Sequence, residues 1–218
     1  MQFKENMDVY TFEGEKVGQV DRVVIDPQAG EVTHLVVRKG FLFPEDKVLP
    51  VDLVDSAEEE RVVLRQDAGD LDELPRFEEA HYVGLDSDEL ARTEYPVESA
   101  QPIYWYPPYG TPVGYPPFAT PPYPTHIERN IPPGTVPLKE GARVVSNDGK
   151  DVGDVEEVFS DSETEKVTHI LVSEGLLFKK HKLIPMHWIR SVGENQVRLS
   201  VNANTLKDLP DYEGERRD

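Results

Sequence analysis

The side chains best able to do chemistry in this sequence are its histidines, and one of them occurs twice. His34 and His169 stand in the same context, Val-Thr-His followed by an aliphatic residue, 135 residues apart. An imidazole can serve as general base, proton relay or metal ligand, but each role needs converging partners. Both histidines fall mid-strand, and the carboxylates a metal could recruit, Asp26 and Asp161, lack the tight spacing of a ligand set. His181 and His187 flank a proline-containing strand and belong to no ligand motif. The pattern predicts a structural ring hydrogen-bonded across a barrel wall. The chain contains no Cys, which removes disulfides, thiolate zinc sites, Fe–S centres and cysteine nucleophiles. No Gly-rich phosphate loop, nucleophile elbow or metalloprotease helix occurs. No catalytic, cofactor-binding or metal residue is expected, and the reading is of a protein that is not an enzyme.

The elements that position these residues are repeated. The two ends of the 218-residue chain match without a gap at an offset of 135, from Gly14/Gly149 to Pro75/Pro210, through Gly18/Gly153, Val23/Val158, His34/His169, Lys47/Lys182, Pro50/Pro185 and Leu71/Leu206. Within each repeat apolar residues alternate at period two and turn signals recur every ten residues or so, an all-β pattern. Strands are expected at 17–25, 32–37, up to Pro50, at 51–54 and at 62–64, with equivalents in the second copy. Gly14 and the run Asn147-Asp148-Gly149-Lys150 read as hairpin turns, the latter of type I′. Gly18 and Gly153 lie inside long strands, where a glycine marks a bulge or tight bend. The ends Asp70–Pro75 and Thr205–Pro210 read as one helical turn stopped by proline. Five or six short strands in about 60 residues suit a small closed barrel.

Between the repeats the composition changes. Residues 96–137 hold 13 of the 19 prolines and only three charged residues, with Tyr104, Trp105, Tyr106, Tyr109, Tyr115, Phe118 and Tyr123 interleaved. Proline removes amide donors and fixes φ, so the segment is expected to be an extended, semi-rigid tether. The expected domains are a first barrel at 1–78, an acidic extension and Pro/aromatic-rich linker at 79–137, a second barrel at 138–213 and a charged tail at 214–218.

At the level of residues, Gly-Glu-Lys-Val-Gly-Gln-Val, Val-Ile-Asp-Pro, Gly-Glu-Val-Thr-His-Leu-Val-Val-Arg-Lys-Gly and Lys-Val-Leu-Pro, between Gly14 and Pro50, resemble the PRC-barrel family. Asp148-Gly-Lys-Asp-Val-Gly-Asp-Val through Pro185 repeats the pattern. That family includes the cytoplasmic domain of the photosynthetic reaction-centre H subunit and the C-terminal barrel of a ribosome-maturation factor. The resemblance implies two small PRC-type β-barrels in tandem, used as docking and assembly modules, with no catalytic residues to carry over.

Charge narrows the partners. The formal net charge is −19, which argues against nucleic acid and anionic membranes, since both require Lys and Arg to neutralise phosphate. No segment approaches the roughly 18 apolar residues of a spanning helix, and a cytoplasmic location is expected. Residues 1–95 carry −14 and residues 138–218 carry −4. After the shared Phe43/Phe178 the copies diverge, with Pro-Glu45-Asp46-Lys in the first and Lys179-Lys180-His-Lys182 in the second. Equivalent loops of opposite charge are candidate docking loops, placed to pair the barrels with one another. The function expected is the binding of protein partners, or self-association, by two modules at a distance set by the tether. A metal or small-ligand sensor built on His34 and His169 is the alternative.

Overall fold

The computed structural model describes residues 1–40, 44–58, 60–82, 125–174 and 180–213. Its strands run in chain order as β1 (Gln2–Phe3), β2 (Asp8–Tyr10), β3 (Lys16–Asp26), β4 (Glu31–Lys39), β5 (Glu45–Pro50), β6 (Val54–Glu58), β7 (Arg61–Leu64), β8 (Glu78–Tyr82) and β9 (Thr125–Arg129). They continue as β10 (Val136–Leu138), β11 (Arg143–Val145), β12 (Asp151–Ser160), β13 (Val167–Glu174), β14 (Lys180–Pro185), β15 (Ile189–Gly193) and β16 (Gln196–Leu199), before one short helix, α1 (Ala203–Lys207). The all-β expectation holds. Each repeat forms one sheet, ordered β5-β4-β3-β2-β7-β6 in the first and β14-β13-β12-β11-β16-β15 in the second. Neither sheet closes on itself by hydrogen bonds, because the end strands of each path do not pair with one another.

What completes each sheet comes from the other repeat. β1 pairs antiparallel with β12, Phe3 opposite Val158, while β10 pairs antiparallel with β3, Leu138 opposite Val23. Shifting either pair by 135 residues produces the other. The same shift maps the isolated bridge Glu31↔Lys166 onto itself. It also exchanges the bonds Val32 N–H to Glu165 O (3.0 Å) and Val167 N–H to Gly30 O (2.8 Å). The repeats are thus related by a pseudo-twofold with reciprocal exchange of their first strands, the geometry of a swapped dimer within one chain. β1 lies beside β6, and β10 beside β15. Each exchanged strand therefore sits between its own repeat's last hairpin and the long strand of the other.

Packing follows this exchange. One hydrophobic cluster runs through both repeats, with Phe3, Val9, Val23, Leu35 and Leu64 from the first and Leu138, Val144, Val158, Ile170 and Leu199 from the second. A smaller cluster of Val24, Val36, Val48 and Phe77, with Ile131 against it, covers the outer face of β3–β5. The first compact unit comprises Met1–Phe77 and Arg129–Asp218. Residues 129–137, which the sequence places in the linker, belong to this unit and supply β10. Within it the chain departs at Phe77 and resumes at Arg129, and the Asn130 amide donates to the Phe77 carbonyl at 3.0 Å. Residues 78–128 are therefore an insertion and not a spacer that sets a distance between two beads. The second unit, Glu78–Glu128, holds the paired strands β8 and β9 except for Arg129, the last residue of β9. The aromatic run 102–124 and the tail 214–218 lie outside the described residues.

Local chemistry accounts for most of the elements. The hairpins after β2 and β11 close through Gly14 N–H to Thr11 O (2.9 Å) and Gly149 N–H to Ser146 O (3.0 Å). Only the glycine of each has positive φ, 88° at Gly14 and 77° at Gly149, so these are type I turns ending in a left-handed glycine and not type I′. Val51–Leu53, expected as strand, is a 3₁₀ turn, because Pro50 supplies no amide and ends the ladder with β4. The proline-stopped turns are present as a 3₁₀ turn at Leu71–Glu73 and as α1.

Candidate functional site

The glycines at the bends are backbone necessities. A Cβ on Gly153, whose φ is +127°, would stand 2.1 Å from the Ser173 carbonyl oxygen, and one on Gly18 would stand 2.8 Å from the Arg38 oxygen. Both values lie far inside van der Waals contact, so the long strands β3 and β12 press against β4 and β13 with no room for a side chain.

The repeated lysine has an inward task. Lys47 is buried, and its Nζ donates to the carbonyls of Asp72 (2.9 Å) and Leu74 (3.0 Å) at the end of the 3₁₀ turn. Lys182 does the same in the second repeat, donating to the Leu209 carbonyl and pairing with Asp211 at 2.7 Å. This ammonium holds the Asp211 carboxyl below the usual carboxylate range. Lys182 is thus a clamp on the chain end and not part of a docking loop. Lys47→Met keeps the aliphatic stem and leaves two carbonyls without their donor. We expect a loss of about 1–3 kcal/mol in urea denaturation at neutral pH.

The other loop charges are also satisfied at home. Glu45 pairs with Arg76 at 2.7 Å and Asp46 with Arg38 at 3.1 Å, while Lys180 lies 3.5 Å from Asp211. Lys179 lies outside the described residues. The repeats are joined by exchanged strands and a common core, and these loop contacts are within each repeat. Pro50 and Pro185 precede equivalent 3₁₀ turns.

His34 is half-buried between Val24 of β3 and Pro50 of β5, and among the described residues its Nδ1 has no hydrogen-bond partner, contrary to the expected bond across the wall. His169 occupies the same register between Phe159 and Pro185. Asp26 and Asp161 cap their own turns: Asp26 Oδ1 accepts from the amides of Gln28 and Ala29, Asp161 Oδ1 from those of Glu163 and Thr164. Among the described residues no group of three potential ligands forms. Burial lowers the His34 pKa, outweighing the opposite pull of Asp52. The folded protein then resists a proton that the unfolded chain accepts below its ordinary pKa of about 6.5. Stability is accordingly lost as pH falls through that region. His34→Gln should flatten the difference in stability between about pH 7 and pH 5, read by denaturant midpoints across the range.

One constellation escaped the sequence. The buried Phe77 ring carries the Arg22 guanidinium 4.9 Å from its centroid and that of Arg129 at 5.6 Å. Glu194, from the last hairpin of the second repeat, binds both, at 2.5 Å to Arg22 and 3.0 Å to Arg129. Asp21, itself buried, pairs with Arg22 and Arg38. At the positions of Asp21 and Arg22 the second repeat has Glu156 and Glu157, and Glu156 pairs with His181 at 2.9 Å. The exchange of Arg22 for a carboxylate is the signal a closer reading of the repeat offers. An open depression lined by Asp8, Tyr10, Ser56, Glu58 and Arg61 is polar, with Lys16 paired to Asp8 at 2.7 Å and Arg61 stacked on Tyr10 at 4.5 Å.

Comparison with known families divides the repeat in two. The model of the PRC-barrel domain matches residues 5–71, and that of an uncharacterized protein conserved in bacteria, DUF2171, matches residues 138–207. The second repeat is thus not matched as a second PRC-barrel, which corrects the tandem reading. No curated protein matches the chain. Among the described residues no helix is long and apolar enough to cross a membrane. PRC-barrel domains are general interaction and assembly modules. The first repeat thus matches the PRC-barrel domain over residues 5–71, and it is intertwined with a second repeat that shares its topology but matches a different family model.

Proposed function

We propose that this protein is a non-enzymatic docking body that holds protein partners on the outer surfaces of its two intertwined repeats. The observation that carries this reading is the division of labour among the repeated side chains. Lys47/Lys182, Asp26/Asp161 and Gly18/Gly153 all serve the fold, while the positions that differ in charge between repeats, Arg22/Glu157 and Asp46/His181, remain partly exposed. Two related surfaces of different charge on one frame suit two different partners, or two sites on one. The net charge of −19 favours basic or neutral partners over nucleic acid.

The test is capture of tagged full-length protein from its native cells under mild cross-linking. The reading expects a protein assembly of fixed stoichiometry whose recovery falls when outward residues are altered. Recovery of the protein alone would contradict it.

A further inference from the structure

The outer face of β3–β5 is closed and its pseudo-symmetric counterpart is not. In the first repeat Val24, Val36, Val48 and Phe77 are each no more than 2% exposed, because Ile131 packs over them. Their counterparts are Phe159, Leu171, Leu183 and Tyr212. Leu171 is buried, but Phe159, Leu183 and Tyr212 are only half-buried. Phe159 and Tyr212 meet edge to face at 6.2 Å and do not seal the face. Nothing among the described residues plays the part of Ile131 there.

The covered face shows what the open one takes. Arg129-Asn130-Ile131-Pro132 lies along the edge at Phe77: Asn130 donates its amide to the Phe77 carbonyl, Ile131 fills the apolar face, and Arg129 stands over the Phe77 ring. In the second repeat Tyr212 docks on β14 as Phe77 does on β5, its amide donating to the His181 carbonyl at 2.7 Å, the equivalent of Phe77 to Asp46 at 2.7 Å. The Tyr212 carbonyl stands where the Phe77 carbonyl accepts from Asn130, and an added strand could donate to it in the same way. Charge decides the cation. Glu157, opposite Leu171, stands where Arg22 stands in the first repeat and forms no ion pair among the described residues. Burial raises its pKa, outweighing the opposite pull of Lys4 and His181.

We propose that the outer face of β12–β14 is a docking groove for an extended segment of a partner protein. That segment carries a basic residue two positions before an aliphatic–proline pair. It lies along Tyr212 as Arg129–Pro132 lies along Phe77, with its cation toward Glu157. The inference rests on the docking reading above and names one of its surfaces.

The probe is a synthetic peptide with the sequence of residues 128–134, Glu-Arg-Asn-Ile-Pro-Pro-Gly, titrated into ¹⁵N-labelled full-length protein. The expected result is saturable, weak binding, between about 10 μM and 1 mM, as befits a short flexible ligand. Amide shifts should centre on Phe159, Leu171, Leu183 and Tyr212. Leu183→Glu should abolish binding. Glu157→Arg, which installs the first repeat's own side chain, should weaken binding at least about fivefold at low salt and less at high salt. A peptide with Glu in place of Arg should lose as much. Absence of saturation to about 5 mM, binding unchanged in both variants, or shifts centred elsewhere would overturn the proposal. So would a concentration-dependent dimer abolished by Leu183→Glu, which gives the face to a second copy of the chain. An assembly captured equally by wild type and Leu183→Glu would keep the docking reading and overturn this site.

Discussion

Gly153→Val is expected to unfold the protein or cost it at least about 3 kcal/mol, read as a shift of the denaturant midpoint. Two penalties combine at this residue. Its φ of +127° is a conformation L side chains rarely adopt, and a Cβ would overlap the Ser173 carbonyl oxygen at 2.1 Å. Neither can relax alone, because rotating the backbone out of the positive region pulls β12 from both β11 and β13, and through β12 from the exchanged β1. Gly18 is the internal control. It meets Val37 Cγ1 at 2.7 Å and the Arg38 oxygen at 2.8 Å without a positive φ, so Gly18→Val should be harmful but milder.

The second large effect crosses the repeats. Phe3 is fully buried, and although it precedes the first repeat, its strand belongs to the sheet of the second. Phe3→Ala is expected to cost about 3–5 kcal/mol through lost burial and the cavity left behind. The loss should register where the ring is packed. Trp188 lies in the second repeat beside the shared core, and the chain's other tryptophan is Trp105. In a Trp105→Phe background, Trp188 fluorescence reports the second repeat, and Phe3→Ala should lower its unfolding midpoint. Leu138→Ala, the pseudo-symmetric change, should lower the same midpoint, at about 2–5 kcal/mol. A Trp188 midpoint indifferent to Phe3 would show the repeats standing independently.

The sequence made the strands legible because alternation is local, and the bends legible because glycine inside a strand has few other causes. The repeat at offset 135 gave the topology of one half from the other. What remained illegible was non-local. Nothing in Gln2-Phe3 or Val136-Pro137-Leu138 marks them as strands of the opposite repeat, since two or three residues carry no periodicity. The proline-rich composition of 96–137 pointed to a spacer, yet its last residues return beside Phe77 and build β10. His34, Glu45, Asp46, Lys180 and Lys182 attracted notice as chemically able or charged, and each except His34, whose Nδ1 is left without a partner among the described residues, is occupied by a neighbour in its own repeat. The outer face was visible in principle. Phe77/Tyr212, Val24/Phe159 and Arg22/Glu157 stand at the same offset, but only the packing of Ile131 and Arg129 on the first face shows what the second lacks.

Exchanged strands and one core make the two repeats a single cooperative body. A heat-capacity scan of the full-length protein tests it most directly. One transition with equal calorimetric and van't Hoff enthalpies is expected, moved as a whole to lower temperature by Phe3→Ala. Two separable transitions, with Phe3→Ala shifting only that of the first repeat, would contradict it.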